Sequence, residues 1–165
     1  MEVELSQQLH QKGLWIVTAE SCTGGSIAGR ITRIAGSSHV FWGGFVAYDN
    51  SAKVALLDVP AELITRHGAV SAEVAQAMAT GALARMPEPF RSKGLALATT
   101  GIAGPGGGTA EKPIGLCYLG LAVVGRTQAR AIQSPSGLER VENQRFFADQ
   151  ALAWAIATVR TSKIV

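Results

Sequence analysis

The sequence predicts an α/β sandwich built on a mixed sheet, and three features of its hydrophobic pattern support this. Two short apolar runs, residues 14–20 and 94–101, have the length and composition of buried strands. Segments with helical periodicity lie between and after these runs, which is the alternation that places helices on the faces of a sheet. A hairpin over residues 114–134, turning at Gly125 and Arg126, adds antiparallel strands, so the sheet is not purely parallel.

Turn and capping residues divide the chain into the individual elements. Gly13 is placed to end the first helix, and Gly43 with Gly44 indicates a bulge or close approach within a strand. Asn50 or Ser51 can cap a short helix that holds Lys53. In chain order we predict a helix ending at 13, a strand over 14–20, a helix over 23–34, a strand over 39–49, a short helix over 51–57, helices over 60–68 and 71–85, a strand over 94–101, the hairpin over 114–134 and a helix over 138–160.

Composition and charge favour one compact domain over residues 1–165. Charged residues make up 16% of the chain, against about 25% in typical globular proteins, and the net charge of +3 comes from scattered basic residues. Because no basic stripe is present, we predict no nucleic-acid partner. The polar amino terminus and the absence of a long apolar run predict no signal peptide and no membrane span, and therefore a cytoplasmic protein.

The first candidate functional segment is Thr18–Gly25, where a buried strand passes into a helix. Ser21 or Cys22 could act as a nucleophile at this strand end, which is the usual ligand crevice of an α/β sheet. Backbone N–H groups at Gly24 and Gly25 could bind a phosphate or a developing oxyanion. The alternative is that Ser21 or its neighbours only cap the helix.

The second candidate segment is the glycine-rich stretch over 99–109, which also follows a buried strand. It matches neither the dinucleotide-binding GxGxxG pattern nor the phosphate-binding P-loop pattern. The whole irregular connection over 101–113 is long for a compact domain, and such loops are often functional. A plain surface loop is the alternative.

The remaining polar residues carry weaker signals. Tyr48 and Lys53 are five residues apart, so they do not share a helical face, and the spacing by itself favours a solvated lysine. The three histidines show no ligand spacing, and we predict no metal site and no cofactor. Cys22 and Cys117 lie in different contexts, and Cys117, within an apolar strand, is expected to be buried and inert.

Five stretches together resemble the CinA carboxy-terminal domain family, also known as the nicotinamide-mononucleotide amidohydrolases. They occur in the family's order and cover most of residues 14–122, so the resemblance is specific. The stretches are TAESCTGG at 18–25, FWGGFVAYDNSAK at 41–53, GAVSAEVAQAMATGA at 68–82, TTGIAGPGGGT at 99–109 and KPIGLCYLGLA at 112–122.

This resemblance implies a three-layer α/β/α fold with a mixed, mostly parallel sheet. The form of the family that we expect here is the one in which this domain stands alone. It also implies hydrolysis of the carboxamide of nicotinamide mononucleotide to nicotinate mononucleotide and ammonia. A small-molecule nucleotide is thus the expected partner, and the family makes a homodimer the expected assembly.

The resemblance also assigns roles to three residues. Ser21 falls on the family's catalytic serine, Lys53 on its lysine and Tyr48 on its tyrosine. The match therefore makes Lys53 a catalytic base, although the spacing does not. We hypothesise that a neutral Lys53 takes the proton of Ser21, directly or through Tyr48. Backbone N–H groups near Cys22, or at Thr100 and Gly101, are candidate oxyanion donors.

The substrate's phosphate needs hydrogen-bond donors, and here the sequence departs from the family pattern. The chain places Arg140 and Arg145 five residues apart, where family members usually have two arginines four apart. Counting back from Ala151, Arg145 aligns with the second of these and is the predicted phosphate contact. The other predicted substrate-binding residues are Thr23, Gly24, Gly25, Thr100 and Gly101.

Two other functions remain open from the sequence. A catalytically silent relative could keep the pocket as a nucleotide-binding or partner-binding module of the competence- or damage-inducible type. An amidase could also act on a different nucleotide amide, because substrate choice rests on pocket shape. The presence of Ser21, Tyr48 and Lys53 together favours the enzyme.

Overall fold

The computed structural model describes residues 1–161 and contains one mixed five-stranded sheet between two layers of helices. The helices are α1 (Glu2–Lys12), α2 (Ser26–Thr32), α3 (Asn50–Leu57), α4 (Ala61–His67), α5 (Ala72–Arg85) and α6 (Arg140–Thr161). The strands are β1 (Trp15–Glu20), β2 (Phe41–Val46), β3 (Gly94–Gly101), β4 (Leu116–Val123) and β5 (Arg126–Gln133). Short 3₁₀ turns lie at Ser37–His39 and Arg91–Lys93.

The strand order is β2-β1-β3-β4-β5, and its pairings are evenly mixed. β1 pairs in parallel with β2 and β3, whereas β4 pairs antiparallel with β3 and β5. The mixed sheet is confirmed. β4 runs against both of its neighbours and makes the two antiparallel pairs, so four of the five strands share one direction while parallel and antiparallel pairs are equal in number. The chain leaves β1 to one side for β2 and returns on the other side for β3, which opens a crevice at the carboxyl ends of β1 and β3.

Alternating side chains of the sheet divide the interior into two cores. Leu95 and Leu97 of β3 face a core formed with α1, α2 and α6, whereas Ala96 and Ala98 face a core formed with α3 and α5. This alternation is the two-residue period of a strand that is buried on both faces. The three-layer sandwich is therefore confirmed, and its two cores fix the positions of β1 and β3.

Most predicted boundaries agree with the structure, and two local differences have clear causes. Asp49 caps α3 by accepting a hydrogen bond from the backbone N–H of Ser51, because a carboxylate one position earlier reaches that donor better than the predicted caps. α2 starts later than predicted, since Gly24 and Gly25 adopt left-handed backbone conformations. The predicted irregularity of β2 is present as a register shift opposite Ile16 and Val17.

Candidate functional site

A cavity of about 210 Å³ lies at the carboxyl ends of β1 and β3, and we call it the reaction chamber. Its wall combines the ends of strands and the turns after them with α3, the connection between α4 and α5, and the start of α6. The lining residues are Ser21, Cys22, Tyr48, Asn50, Lys53, Ala69, Val70, Thr100, Gly101, Ala103 and Arg140. The structure therefore brings together five of the predicted site residues, namely Ser21, Tyr48, Lys53, Thr100 and Gly101.

Ser21 lies in a tight turn directly after β1. Its backbone N–H donates to the carbonyl of Thr99 at 3.0 Å, and its own carbonyl accepts from the N–H of Gly24 at 3.0 Å. These bonds fix the backbone, whereas the Ser21 hydroxyl and the backbone N–H of Cys22 have no hydrogen-bond partner within residues 1–161. The side chain of Ser21 is 8% exposed, so an unpaired hydroxyl faces the chamber.

Thr23, Gly24 and Gly25 lie beside the reaction chamber and do not line it. The hydroxyl of Thr23 donates to the buried carboxylate of Glu20 at 2.7 Å, and it lies 2.8 Å from the hydroxyl of Thr99. Glu20 also accepts from the backbone N–H groups of residues 27 and 28 at 3.0 and 2.8 Å, which caps α2. Two of the donors predicted to bind substrate here thus hold the turn in this structure: the hydroxyl of Thr23 donates to Glu20, and the N–H of Gly24 donates to the carbonyl of Ser21.

Lys53 is 1% exposed, so the solvated lysine that the spacing favours is wrong. It projects from α3 into the chamber wall, and its Nζ donates to the backbone carbonyl of Tyr48 at 2.9 Å. Burial lowers the pKa of Lys53 below its ordinary value of 10.5, while the charges of Asp49 and of a Cys22 thiolate act in the opposite direction. Since Asp49 is exposed, Lys53 lacks a buried counter-charge that would hold its proton.

Tyr48 contacts Arg140 through its phenol and Lys53 only through its backbone carbonyl. The Nη2 of Arg140 donates to the Tyr48 hydroxyl at 2.6 Å, and its Nη1 donates to the carbonyl of Gly104 at 2.6 Å. A proton route from Ser21 to Lys53 through the phenol is therefore not assembled in this structure. The side chain of Arg140 instead bridges Tyr48 and the glycine-rich loop at the edge of the chamber.

Arg145 lies away from the reaction chamber, in a separate cleft of about 580 Å³ that we call the arginine cleft. A step of five residues turns an α-helix by about 140° beyond a full turn, so Arg140 and Arg145 leave α6 in different directions. Arg140 lines the chamber, whereas the predicted Arg145 does not. The arginine cleft is lined by Glu2, Ser26, Arg30, Arg33, Ile34, Arg145 and Asp149.

Two lining residues that the sequence did not single out, Ala69 and Val70, lie in the connection between α4 and α5. The hydroxyl of Thr100 donates to the carbonyl of Ala69 at 2.7 Å, and the Nζ of Lys112 donates to the carbonyl of His67 at 2.7 Å. These bonds hold the connection between α4 and α5 against β3 and the glycine-rich loop, so that Ala69 and Val70 face the chamber. Small apolar residues in a loop carry no sequence signal for a site.

A second cavity of about 680 Å³ adjoins the chamber and shares Ala103 and Arg140 with it. We call it the glycine-loop cleft, because residues 103–110 and 134–140 form most of its wall. Its floor is fixed by Asn143, whose side-chain amide donates to the carbonyls of Ala103 and Leu138 at 3.0 and 3.1 Å. The hydroxyl of Ser134 donates to the side-chain oxygen of the same amide. The predicted functional loop therefore forms a second, larger space beside the reactive one.

Residues 1–161 contain no group of three or more His, Cys, Asp or Glu side chains that could hold a metal ion. Among the helices over the same range, none combines the length and hydropathy that crossing a bilayer requires.

Comparison with known proteins gives one consistent family. The family model for the CinA C-terminal domain matches residues 1–159. A CinA-like protein of Citrifermentans bemidjiense is 47% identical over 163 residues, and one of Chloroherpeton thalassium is 44% identical over 154 residues. These alignments cover 99% and 92% of this chain but only 38% and 36% of the two relatives, so the chain matches little more than a third of their length.

Solved structures agree over nearly the whole chain. A competence/damage inducible protein, CihA, from Agrobacterium tumefaciens superimposes with a TM-score of 0.86 at 41% identity, covering 98% of this chain and 97% of that one. The competence damage-inducible protein A, ComA, from Klebsiella pneumoniae gives 0.90 at 28% identity, covering 98% and 96%. On these matches, the chain belongs to the CinA C-terminal domain family.

Proposed function

We propose that this protein is an amidohydrolase that converts the carboxamide of nicotinamide mononucleotide to the carboxylate and releases ammonia. Ser21 is the nucleophile of this proposal and Lys53 is the base. The observation that carries the proposal is the burial of Lys53 in the same small chamber as the unpaired hydroxyl of Ser21. A buried amine with a lowered pKa is a better proton acceptor near neutral pH than a solvated one.

The proposed reaction proceeds through an ester of Ser21. The hydroxyl oxygen of Ser21 attacks the amide carbon, and its proton passes to the neutral Nζ of Lys53. The carbon–nitrogen bond then breaks, and Lys53 returns the proton to the leaving nitrogen, so that ammonia departs. Water attacks the ester carbon and gives a proton to Lys53, which passes it back to Ser21 as the ester bond breaks.

The unpaired N–H of Cys22 supports this sequence of steps. A tetrahedral intermediate places negative charge on the former carbonyl oxygen, and backbone donors that are already oriented stabilise such charge strongly. The N–H of Cys22 adjoins the nucleophile and has no acceptor among residues 1–161. We therefore propose the N–H of Cys22 as an oxyanion donor.

The sizes of the two cavities support a substrate that extends beyond the reacting group. The chamber, at about 210 Å³, is smaller than the roughly 300–1,000 Å³ that drug-sized ligands occupy. It suits the carboxamide and its ring, while the ribose and phosphate would extend past Arg140 into the glycine-loop cleft. Arg140 is a suitable phosphate ligand, because its guanidinium can donate two hydrogen bonds to an anion.

The charges of the chamber also agree with an anionic substrate. Its lining contains the cationic guanidinium of Arg140 and no carboxylate, so a positive charge is present while Lys53 is neutral. Arg140 now donates to two neutral acceptors, and a bound phosphate would give it a charged acceptor instead. Hydrogen bonds to a charged acceptor are about twice as strong as those between neutral groups.

The test is ammonia release by the purified protein from nicotinamide mononucleotide, free nicotinamide and the dinucleotide. We expect turnover of the mononucleotide, little turnover of nicotinamide because it lacks the phosphate, and loss of activity in Lys53→Met. Lys93→Met is the matched control, because that lysine lies in the 3₁₀ turn before β3. No turnover of any of the three compounds, together with measurable binding of the mononucleotide, would replace this proposal by the binding-module alternative.

A further inference from the structure

Cys22 and Cys117 are the two cysteines of the chain, and the fold brings them together across 95 positions of sequence. Cys22 follows Ser21 in the turn after β1, and Cys117 is the second residue of β4. Their sulfur atoms lie 3.7 Å apart, and both are free thiols. The sequence indicated two unrelated cysteines, and the pairing arises because the carboxyl end of β1 and the amino end of β4 lie at the same edge of the sheet.

The two thiols differ in access and in environment. Cys22 is 4% exposed and lines the reaction chamber, whereas Cys117 is fully buried behind it. Burial and the neighbouring Cys22 raise the pKa of Cys117 well above its usual range, so Cys117 is a neutral thiol. Cys22 and Lys53 both line the reaction chamber, so the sulfur of Cys22 lies on the side of the thiol pair that a ligand can reach. A small oxidant in the chamber would therefore meet Cys22 first.

A disulfide between them is geometrically accessible. Bonded sulfurs are about 2.0 Å apart, so the two atoms would have to approach by roughly 1.7 Å. Cys117 is fixed in a strand that pairs on both sides. Cys22 lies in a turn that continues through Gly24 and Gly25, whose backbones are flexible. The movement would therefore come from Cys22.

We propose that Cys22 and Cys117 form a peroxide-oxidisable dithiol whose reversible disulfide closes directly beside Ser21. This modification site goes beyond the proposed amidohydrolase function, and its formation does not depend on that function. The oxidant class is hydrogen peroxide or a small organic peroxide, because the chamber admits only small molecules and Cys117 has no access of its own.

The chemistry balances in two steps. The thiolate of Cys22 attacks one peroxide oxygen, which forms a sulfur–oxygen bond, breaks the oxygen–oxygen bond and, with one proton, releases the first water. The sulfur of Cys117 then attacks the sulfur of Cys22, and the departing hydroxyl takes the thiol proton and leaves as the second water. Two electrons pass from the two thiols to the peroxide.

Oxidation should disturb the site because Cys22 is part of it. The carbonyl of Cys22 accepts a hydrogen bond from the side-chain amide of Gln144 at 2.9 Å, which sets the orientation of the turn. Drawing the sulfur of Cys22 towards β4 would strain this bond and shift both the neighbouring hydroxyl of Ser21 and the N–H of Cys22. We therefore expect the disulfide form to lose at least about tenfold in amidase activity, since small misplacements of reacting groups carry large rate costs.

The experiment measures the intact mass of the reduced protein after brief treatment with hydrogen peroxide. The wild type should lose about 2 Da, and it should remain a monomeric chain on a non-reducing gel. A thiol reductant should reverse the change in mass. Cys117→Ala should instead gain about 16 Da at Cys22, trapped with dimedone as a sulfenic acid. Cys22→Ala should resist oxidation, because its remaining thiol is buried. Cys117→Ser serves as a second variant if the alanine variant does not fold.

Three results would overturn the proposal. These are oxidation of the wild type to a sulfinic acid without loss of 2 Da, a disulfide that links two chains, and oxidation of Cys22→Ala as rapid as that of the wild type. A disulfide form with full amidase activity would overturn the expected effect on the site. Failure of the reduced protein to hydrolyse any amide would count against the proposed function alone, since the mass change is read independently.

Discussion

The reaction chamber and the arginine cleft both receive an arginine from α6, yet they differ in almost every property that matters for chemistry. The arginine cleft is the larger, about 580 Å³ against 210 Å³, and it contains three arginines. In that cleft Arg30 is paired with the carboxylates of Glu2 and Asp149. The chamber contains Lys53 and Arg140 with no carboxylate in its lining.

This difference shows that a reactive basic group is identified by its burial and its missing counter-charge, and not by the number of basic residues nearby. Partly exposed ion pairs such as that of Arg30 and Asp149 contribute little free energy. Lys53, at 1% exposure, cannot hydrate its charge and has no buried acid to pair with. The smaller cavity is therefore the one suited to proton transfer.

Replacing one serine in each cavity should give the largest difference in the rate of ammonia release. Ser21→Ala removes the proposed nucleophile, and we expect the rate of ammonia release to fall by about 10³-fold or more. Ser26→Ala, in the arginine cleft, should stay within about twofold of the wild type. If Ser21→Ala keeps near-normal activity, Cys22 becomes the candidate nucleophile, and Cys22→Ala is the variant that decides it.

Replacing each of the two arginines of α6 should affect substrate binding to different extents. Arg140→Ala removes a charge-assisted hydrogen bond to the phosphate, so we expect KM for nicotinamide mononucleotide to rise by about 10- to 100-fold with a smaller change in kcat. Arg145→Ala should change both constants by less than about twofold. Steady-state kinetics of the two variants measures this directly. The opposite result would restore the assignment of Arg145 that the sequence favours.

The smallest effect is on stability and comes from the protonation of Lys53. Its pKa is lowered in the folded protein, so between that pKa and about 10.5 the unfolded chain binds more protons. The free energy of unfolding should therefore rise with pH in this window, by at most about 1.4 kcal/mol per pH unit for one group. Below the folded pKa both states bind the proton, and this contribution no longer changes with pH.

Urea unfolding at a series of pH values tests this effect. Subtracting the values for Lys53→Met from those of the wild type isolates the contribution of Lys53, and the difference should increase with pH in favour of the wild type. Arg145→Met, the matched variant in the arginine cleft, should show no such slope. A difference between wild type and Lys53→Met that is flat up to pH about 10 would mean that burial does not lower the pKa of Lys53.

Much of the fold could be predicted because it is encoded in local periodicity. The apolar run of β3 and the start of α5 next to Ser71 are encoded within a few residues of sequence, and both agree with the prediction. The even mixture of parallel and antiparallel strand pairs could not be predicted from the sequence in the same way. It depends on which strands become neighbours, and that is set by the packing of helices on the two faces.

The site was predicted in part for a similar reason. Polar residues after a buried strand identify Ser21 and Thr100, since the ends of neighbouring strands meet at one edge of the sheet. The sequence did not indicate that the hydroxyl of Thr23 donates to Glu20, three residues earlier, inside the turn. Nothing in the local sequence distinguishes a donor that binds its own turn from one that faces a ligand.

The sequence by itself determined the family, the α/β class and the strand end that holds Ser21, because these depend on residues adjacent in the chain. Only the tertiary structure decided that Lys53 is buried, that Arg140 and not Arg145 faces the chamber, and that Cys22 meets Cys117. Each of these depends on the rotation of a helix or the order of strands in the sheet. Such quantities are fixed by packing between distant segments, which the local pattern of hydrophobic residues does not specify.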